Sequence, residues 1–158
     1  MLIIFIVVIS VWLLRNTFFV ITVQGESMSP YLRNGDLVLV SRFCVSRKLR
    51  KDCVVVIKGP PLSNELKLSI NQILYIKRVA GLPFDTISVP SQAYYFTDSL
   101  VKEKADIILS QHDIPARHIF VVGDNIEYSI DSRDWGAIPI ESVQGIVVHK
   151  LRSGVRKN

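Results

Sequence analysis

The sequence predicts an all-β domain, antiparallel sheets in a barrel-like or folded-sandwich arrangement, led by one N-terminal membrane-anchoring helix. Three observations carry this. Residues 1–14 hold Ser10 as their one polar side chain. From residue 17 onward the apolar residues come in short β-branched runs, with no long stretch of helical period. The gaps between those runs are filled with Gly, Pro, Asn and Asp, the residues that build turns.

Taken in order, Met1 to Leu14 is the apolar segment, and Arg15 and Asn16 interrupt it. Fourteen helical residues rise about 21 Å, short of a hydrocarbon core of roughly 30 Å. A span therefore has to draw on Thr17 to Val23, let Arg15 snorkel, or thin the bilayer. A cleavable leader fits poorly, because no basic residue precedes the apolar run and no small-x-small site precedes Gly25. Residues 1–16 are thus read as the anchor and 17–158 as one domain. The predicted strands are Phe18–Val23, Asp36–Arg42, Cys53–Lys58, Ile73–Val79, Asp85–Val89, Ala93–Thr97, His118–Val122 and Gly145–Lys150. Arg33-Asn34-Gly35, Gly59-Pro60-Pro61, Gly81-Leu82-Pro83 and Gly123-Asp124-Asn125 punctuate them. Glu65–Ile70 and Lys102–Leu109 are ambiguous between helix and strand.

The formal charge of +5 is modest. Arg47, Lys48, Arg50 and Lys51 form one basic cluster, suited to a solvated surface or to anionic headgroups. No aromatic-basic motif or helix-turn-helix pattern supports nucleic-acid binding. The three histidines, His112, His118 and His149, are scattered and make no zinc set. Cys44 and Cys53 flank the basic loop; both a cross-strand disulfide and two buried thiols are compatible with their spacing.

Chemistry concentrates at three places. Ser27 lies in Gly25-Glu26-Ser27-Met28-Ser29-Pro30-Tyr31-Leu32. A serine hydroxyl becomes a nucleophile only when a base takes its proton. Lys77 lies in Ile73-Leu74-Tyr75-Ile76-Lys77-Arg78-Val79, where a period of two puts it on a face with Ile73, Tyr75 and Val79. An amine among apolar neighbours loses its proton more easily, which a general base requires. The third place is Gly123 to Gly136, directly after an apolar strand.

These segments resemble the bacterial type I signal peptidases, membrane-anchored serine–lysine endopeptidases. The family's Ser-Met-x-Pro-x-Leu followed by Gly-Asp is matched by Ser27 to Leu32 and Gly35-Asp36. Its Lys-Arg-Val-x-Gly-x-Pro is matched by Lys77 to Pro83. Its Gly-Asp-Asn-x-x-x-Ser-x-Asp-Ser-Arg-x-x-Gly is matched by Gly123 to Gly136. Three such motifs in the family's order are far more specific than any one alone.

The resemblance implies that Ser27 is the nucleophile, Lys77 the base, and Ser129 a hydroxyl that orients the lysine amine. It implies an oxyanion donor at the Ser27 N–H. Some relatives add a serine hydroxyl two positions earlier; here that position is Gly25, so a backbone N–H made reachable by glycine's freedom is one substitute. Asp131 and Arg133 are read as an ion pair that braces the site. Signal peptides end in small residues, so shallow apolar pockets follow. Met28, Tyr75 and Ile76 are candidates to line them, with a purely core role open for Met28. No cofactor or metal is implied. The implied partners are signal peptides of secreted pre-proteins and the lipid bilayer. The implied place is the cytoplasmic (inner) membrane, single-pass, with the domain on the outer face, although the charges flanking the apolar segment weakly favour the opposite orientation. Specialised relatives, such as conjugative pilin-maturation or organellar inner-membrane peptidases, share the same residues and stand as the alternative.

Overall fold

The computed structural model describes residues 1–43, 49–59, 74–96 and 102–153. One helix, α1 (Leu2–Thr17), runs straight into the first strand. The strands are β1 (Phe18–Thr22), β2 (Leu37–Ser41), β3 (Val54–Lys58), β4 (Leu74–Gly81), β5 (Thr86–Phe96), β6 (Lys102–Asp113), β7 (His118–Val122), β8 (Ile138–Pro139) and β9 (Val143–Arg152). A short helix, α2 (Ser132–Trp135), lies between β7 and β8. All the pairings are antiparallel. Seven strands form one sheet in the order β1-β2-β9-β3-β4-β7-β8, while β5 and β6 make a separate ribbon.

β3 explains how the sheet is buried. Its Val54 and Val56 point into one apolar cluster with Val23, Met28, Leu32, Val38 and Val40. Its Val55 and Ile57 point into another with Val79, Ile119, Val121 and Ile146. A continuous apolar run buried on both faces is what a central strand requires. β1 and β4 have three strands between them in the sheet order, yet residues of both line one cleft. The sheet therefore curls into a half-barrel, and that curl brings the Ser27 turn toward the Lys77 strand.

The all-β reading holds, with several local differences. The two strands expected at Asp85–Val89 and Ala93–Thr97 are one strand, β5, with a register shift between Gln92 and Tyr94. Pro90 reads as a break, but the edge of a two-stranded ribbon tolerates the missing N–H. The ambiguous Lys102–Leu109 belongs to β6, because β5 supplies its hydrogen-bonding partner. α2 is too short to show a period in sequence; a reciprocal cap, in which Asp131 and Asp134 each accept the other residue's backbone N–H, sets it. Glu65–Ile70, Cys44, Arg47 and Lys48 lie outside the described residues. Lys51, from the basic cluster, pairs with Asp85 at 3.2 Å.

The helix expected at the N-terminus is present, but its length falls short of a membrane span. α1 has 16 residues, about 24 Å of rise, and among the described residues no helix is long and apolar enough to cross a membrane. Ile3 to Ile9 and Trp12 nevertheless face outward, with Ile3 77% and Trp12 62% exposed.

Candidate active site

The turn carrying Ser27 is held from beneath and from both ends. Val23 N–H donates to Asp36 O at 2.8 Å and Gly35 N–H to Val23 O at 2.9 Å, closing the neck of the β1–β2 connection. Met28 and Leu32 are each 1% exposed and pin the turn to the core beneath it. The buried Asp36 carboxylate accepts from Arg33 N–H at 2.8 Å and pairs with Lys150. Ser27 itself is half-buried, and its carbonyl accepts from Asn125 N–H at 3.0 Å.

Lys77 sits on β4 opposite Val55 and is 2% exposed. Burial alternates along β4, with Lys77, Val79 and Gly81 inward, as the period of two requires. Lys77 Nζ donates to Ser129 Oγ at 2.7 Å. Its pKa is pulled from the ordinary 10.5 down to about 8. Burial is the main cause; Asp131 pushes it back up, Arg133 down and Asp134 up. Among the described residues no hydrogen bond links Ser27 to Lys77 directly.

Asp131 organises the third segment. Its carboxylate accepts from Ser129 Oγ, from Gly123 N–H at 2.7 Å, and from Arg133 Nε at 2.9 Å and Nη2 at 2.6 Å. Burial alone would raise the Asp131 pKa, but the hydrogen bonds from Arg133, Ser129 and Gly123 hold it below the usual carboxylate value. Because the Ser129 hydroxyl proton points at Asp131, its lone pairs face Lys77. Gly123 is where the pieces meet: a Cβ there would come 2.2 Å from Ser129 Oγ and 2.6 Å from Ser27 O. Only glycine permits that approach.

A cleft of about 400 Å³ is lined by Ser27, Met28, Tyr75 and Ile76 together with Ile21–Gln24 and Leu74. Met28 thus serves both readings, a core residue and a cleft wall. Tyr75 is braced edge-on by Trp135, ring centroids 5.1 Å apart. Gly25 has φ +84° and its N–H donates to Asn34 Oδ1 at 3.1 Å. That N–H is therefore already committed, which removes the simplest substitute for the missing serine hydroxyl. Among the described residues, no cluster of three or more His, Cys, Asp or Glu is arranged to hold a metal.

Sequence reasoning missed Arg78 and Asp124. Arg78 Nε and Nη2 reach both oxygens of Asp124 at 2.7 Å. Gly123-Asp124-Asn125 reads as turn chemistry, and nothing local in it announces an ion pair with a residue far away in the chain. Their places in the Lys-Arg-Val and Gly-Asp-Asn motifs are the available signal.

A curled antiparallel sheet that sets a serine hydroxyl at a cleft and a buried, easily deprotonated amine on one of its strands has the make-up of a hydrolase site. The model of the signal peptidase family, peptidase S26, matches residues 1–151. The chain belongs to that family, a family of peptide-bond hydrolases. It is 27% identical to signal peptidase I V of Bacillus subtilis, over 89% of this chain and 90% of the relative. It is 34% identical to mitochondrial inner membrane protease subunit 2 of Saccharomyces cerevisiae, over 86% of this chain and 67% of the relative. It is 30% identical to thylakoidal processing peptidase 1 of Arabidopsis thaliana, over 78% of this chain. The chain spans 39% of that relative's length.

Proposed function

We propose that this protein is a membrane-bound serine endopeptidase that removes N-terminal signal peptides from exported proteins, with Ser27 as nucleophile and Lys77 as general base. The observation that carries the reading is Lys77: a lysine 2% exposed, its pKa lowered to about 8, and its Nζ held by Ser129. A neutral amine has two N–H groups and one lone pair. Ser129 takes one N–H, which turns the lone pair toward an incoming proton.

In the reaction, the lone pair of Lys77 accepts the Ser27 hydroxyl proton as Oγ attacks the scissile carbonyl carbon. The ammonium then returns that proton to the leaving amine as the peptide C–N bond breaks. Water, deprotonated by the same amine, hydrolyses the acyl-serine ester and frees Ser27. The Ser27 N–H is the assigned oxyanion donor. Asp131, neutralised by Arg133, keeps Ser129 in its accepting orientation without returning full negative charge to Lys77. The cleft walls Met28, Tyr75 and Ile76 suit small apolar side chains ahead of the cut.

Membrane attachment is part of the proposal. The outward-facing side chains Ile3 to Ile9 and Trp12 of α1 would lie in lipid, with Arg15 snorkelling and the bilayer thinned to meet a helix shorter than the core. The domain would stand on the outer face of the cytoplasmic membrane, where exported substrates emerge. The similarity to a mitochondrial inner membrane protease subunit supports the second reading, a specialised processing peptidase with a narrower substrate set. The test is cleavage of a pre-protein by detergent-solubilised protein, with Ser27→Ala as control. A protein of intact fold that leaves every pre-protein uncut, or an equally active Ser27→Ala, rejects the reading.

A further inference from the structure

Lys77 and Arg78 are consecutive on β4, so their side chains leave the strand on opposite faces. Lys77 enters the site, while Arg78 makes contacts to three separate parts of the chain. Its Nε and Nη2 hold Asp124, its Nη1 donates to Asp52 O at 2.8 Å, and its guanidinium lies over the Tyr31 ring at 4.8 Å from the centroid. Tyr31 belongs to the Ser27 turn and is 55% exposed. Asp124 is followed by Asn125, whose N–H donates to the Ser27 carbonyl. The contacts thus close a ring: Ser27 to Asn125, Asp124 to Arg78, Arg78 to Tyr31, and through the turn back to Ser27.

We infer that Tyr31 is a positioning residue, and that its stacking on the Asp124-held Arg78 guanidinium sets the distance between the Ser27 turn and the Lys77 strand. Fold stability alone does not require an aromatic ring there. The turn is already pinned by buried Met28 and Leu32, and those anchors fix its depth in the core. They lie beneath the turn, where Ile76 of β4 packs against the same apolar cluster. The Tyr31 ring adds a second link to β4 two residues further on, at Arg78. A planar guanidinium held along one edge by a carboxylate and at Nη1 by a backbone carbonyl still offers its flat face to an aromatic ring, which a lysine ammonium cannot do. The inference rests on Ser27 and Lys77 acting together as proposed above.

The test compares Tyr31→Ala, Tyr31→Phe, Arg78→Lys and the double variant Tyr31→Ala/Arg78→Lys in the full chain in detergent. Three readouts are taken: pre-protein cleavage, thermal unfolding, and amide hydrogen exchange across residues 24–34. Tyr31→Ala is expected to lower kcat on the order of tenfold through misplacement of the nucleophile, with KM within about twofold and unfolding little changed. Tyr31→Phe keeps the ring and should restore kcat. Arg78→Lys loses both the fork and the flat face, and adding Tyr31→Ala to it should cost little more. The pH at which activity is half-maximal should stay put in Tyr31→Ala, because the surroundings of Lys77 are untouched. Exchange across residues 24–34 should quicken in Tyr31→Ala whether or not the protein cleaves anything, so this readout tests the clamp separately from the proposed activity. Wild-type kcat and exchange in Tyr31→Ala, or losses that multiply in the double variant, would overturn the inference.

Discussion

Replacing Lys77 by methionine should make the protein inactive and, at neutral pH, more stable. The side chain is 2% exposed, and its pKa falls from 10.5 in the unfolded chain to about 8 in the fold. A shift of that size corresponds to about 3 kcal/mol. Between those two values the unfolded chain holds a proton that the folded chain does not. Stability from this group therefore rises with pH across the window, and the full cost is present below the folded value. Methionine fills nearly the same volume and carries no such cost, though it forfeits the bond to Ser129, about 1 kcal/mol. Lys77→Met should thus exceed wild type by about 2 kcal/mol at pH 7 and fall about 1 kcal/mol below it near pH 10.5. Urea unfolding of both proteins in the same detergent, at steps from pH 7 to 10.5, measures the difference and cancels the other groups that titrate there. Wild-type cleavage should rise about tenfold from pH 7 to pH 9, as the neutral fraction of a group titrating near 8 grows from about a tenth to about nine tenths. A stability difference that stays flat with pH would refute the assignment of a neutral buried lysine.

The remaining predictions concern the same machinery. Lys77→Arg should be as inactive as Ser27→Ala in a pre-protein cleavage assay, since guanidinium is not deprotonated in proteins, and the double variant should be hardly worse than either single. Gly123→Ala should lower kcat by on the order of a hundredfold, because its Cβ would fall 2.2 Å from Ser129 Oγ and 2.6 Å from Ser27 O; wild-type kinetics would mean that this close approach is slack. Arg133→Gln removes the cation that offsets Asp131, so the pH–activity curve should move to higher pH and the unfolding temperature should drop; a move to lower pH would contradict the charge balance drawn here. Ser129→Ala should reduce kcat more than it changes KM, and equal kinetics would leave Ser129 a turn residue.

Much of this arrangement was legible in the chain itself. The period of two in Ile73 to Val79 placed Lys77 among apolar neighbours, and β4 buries it there because strand geometry leaves adjacent side chains no other choice. Turn residues marked the starts of β2 and β5 and the ends of β3, β4 and β7, since glycine, proline and the Asx residues act locally. Asp131 and Arg133, two apart, were close enough in the chain to be paired from sequence, and they do pair. Other features depended on residues that no local rule connects. The sheet order sets β9 between β2 and β3, a long-range pairing without a local signature. The Arg78–Asp124 pair joins residues 46 positions apart, and the Tyr31 ring meets the same guanidinium from a third segment of the chain. Whether β5 was one strand or two was likewise decided by its partner β6, since a strand is defined by the neighbour that receives its hydrogen bonds. Composition and period thus determined which residues face inward and which segments turn. Only tertiary structure decided which distant segments share the cleft, because that follows from how the sheet closes on its core.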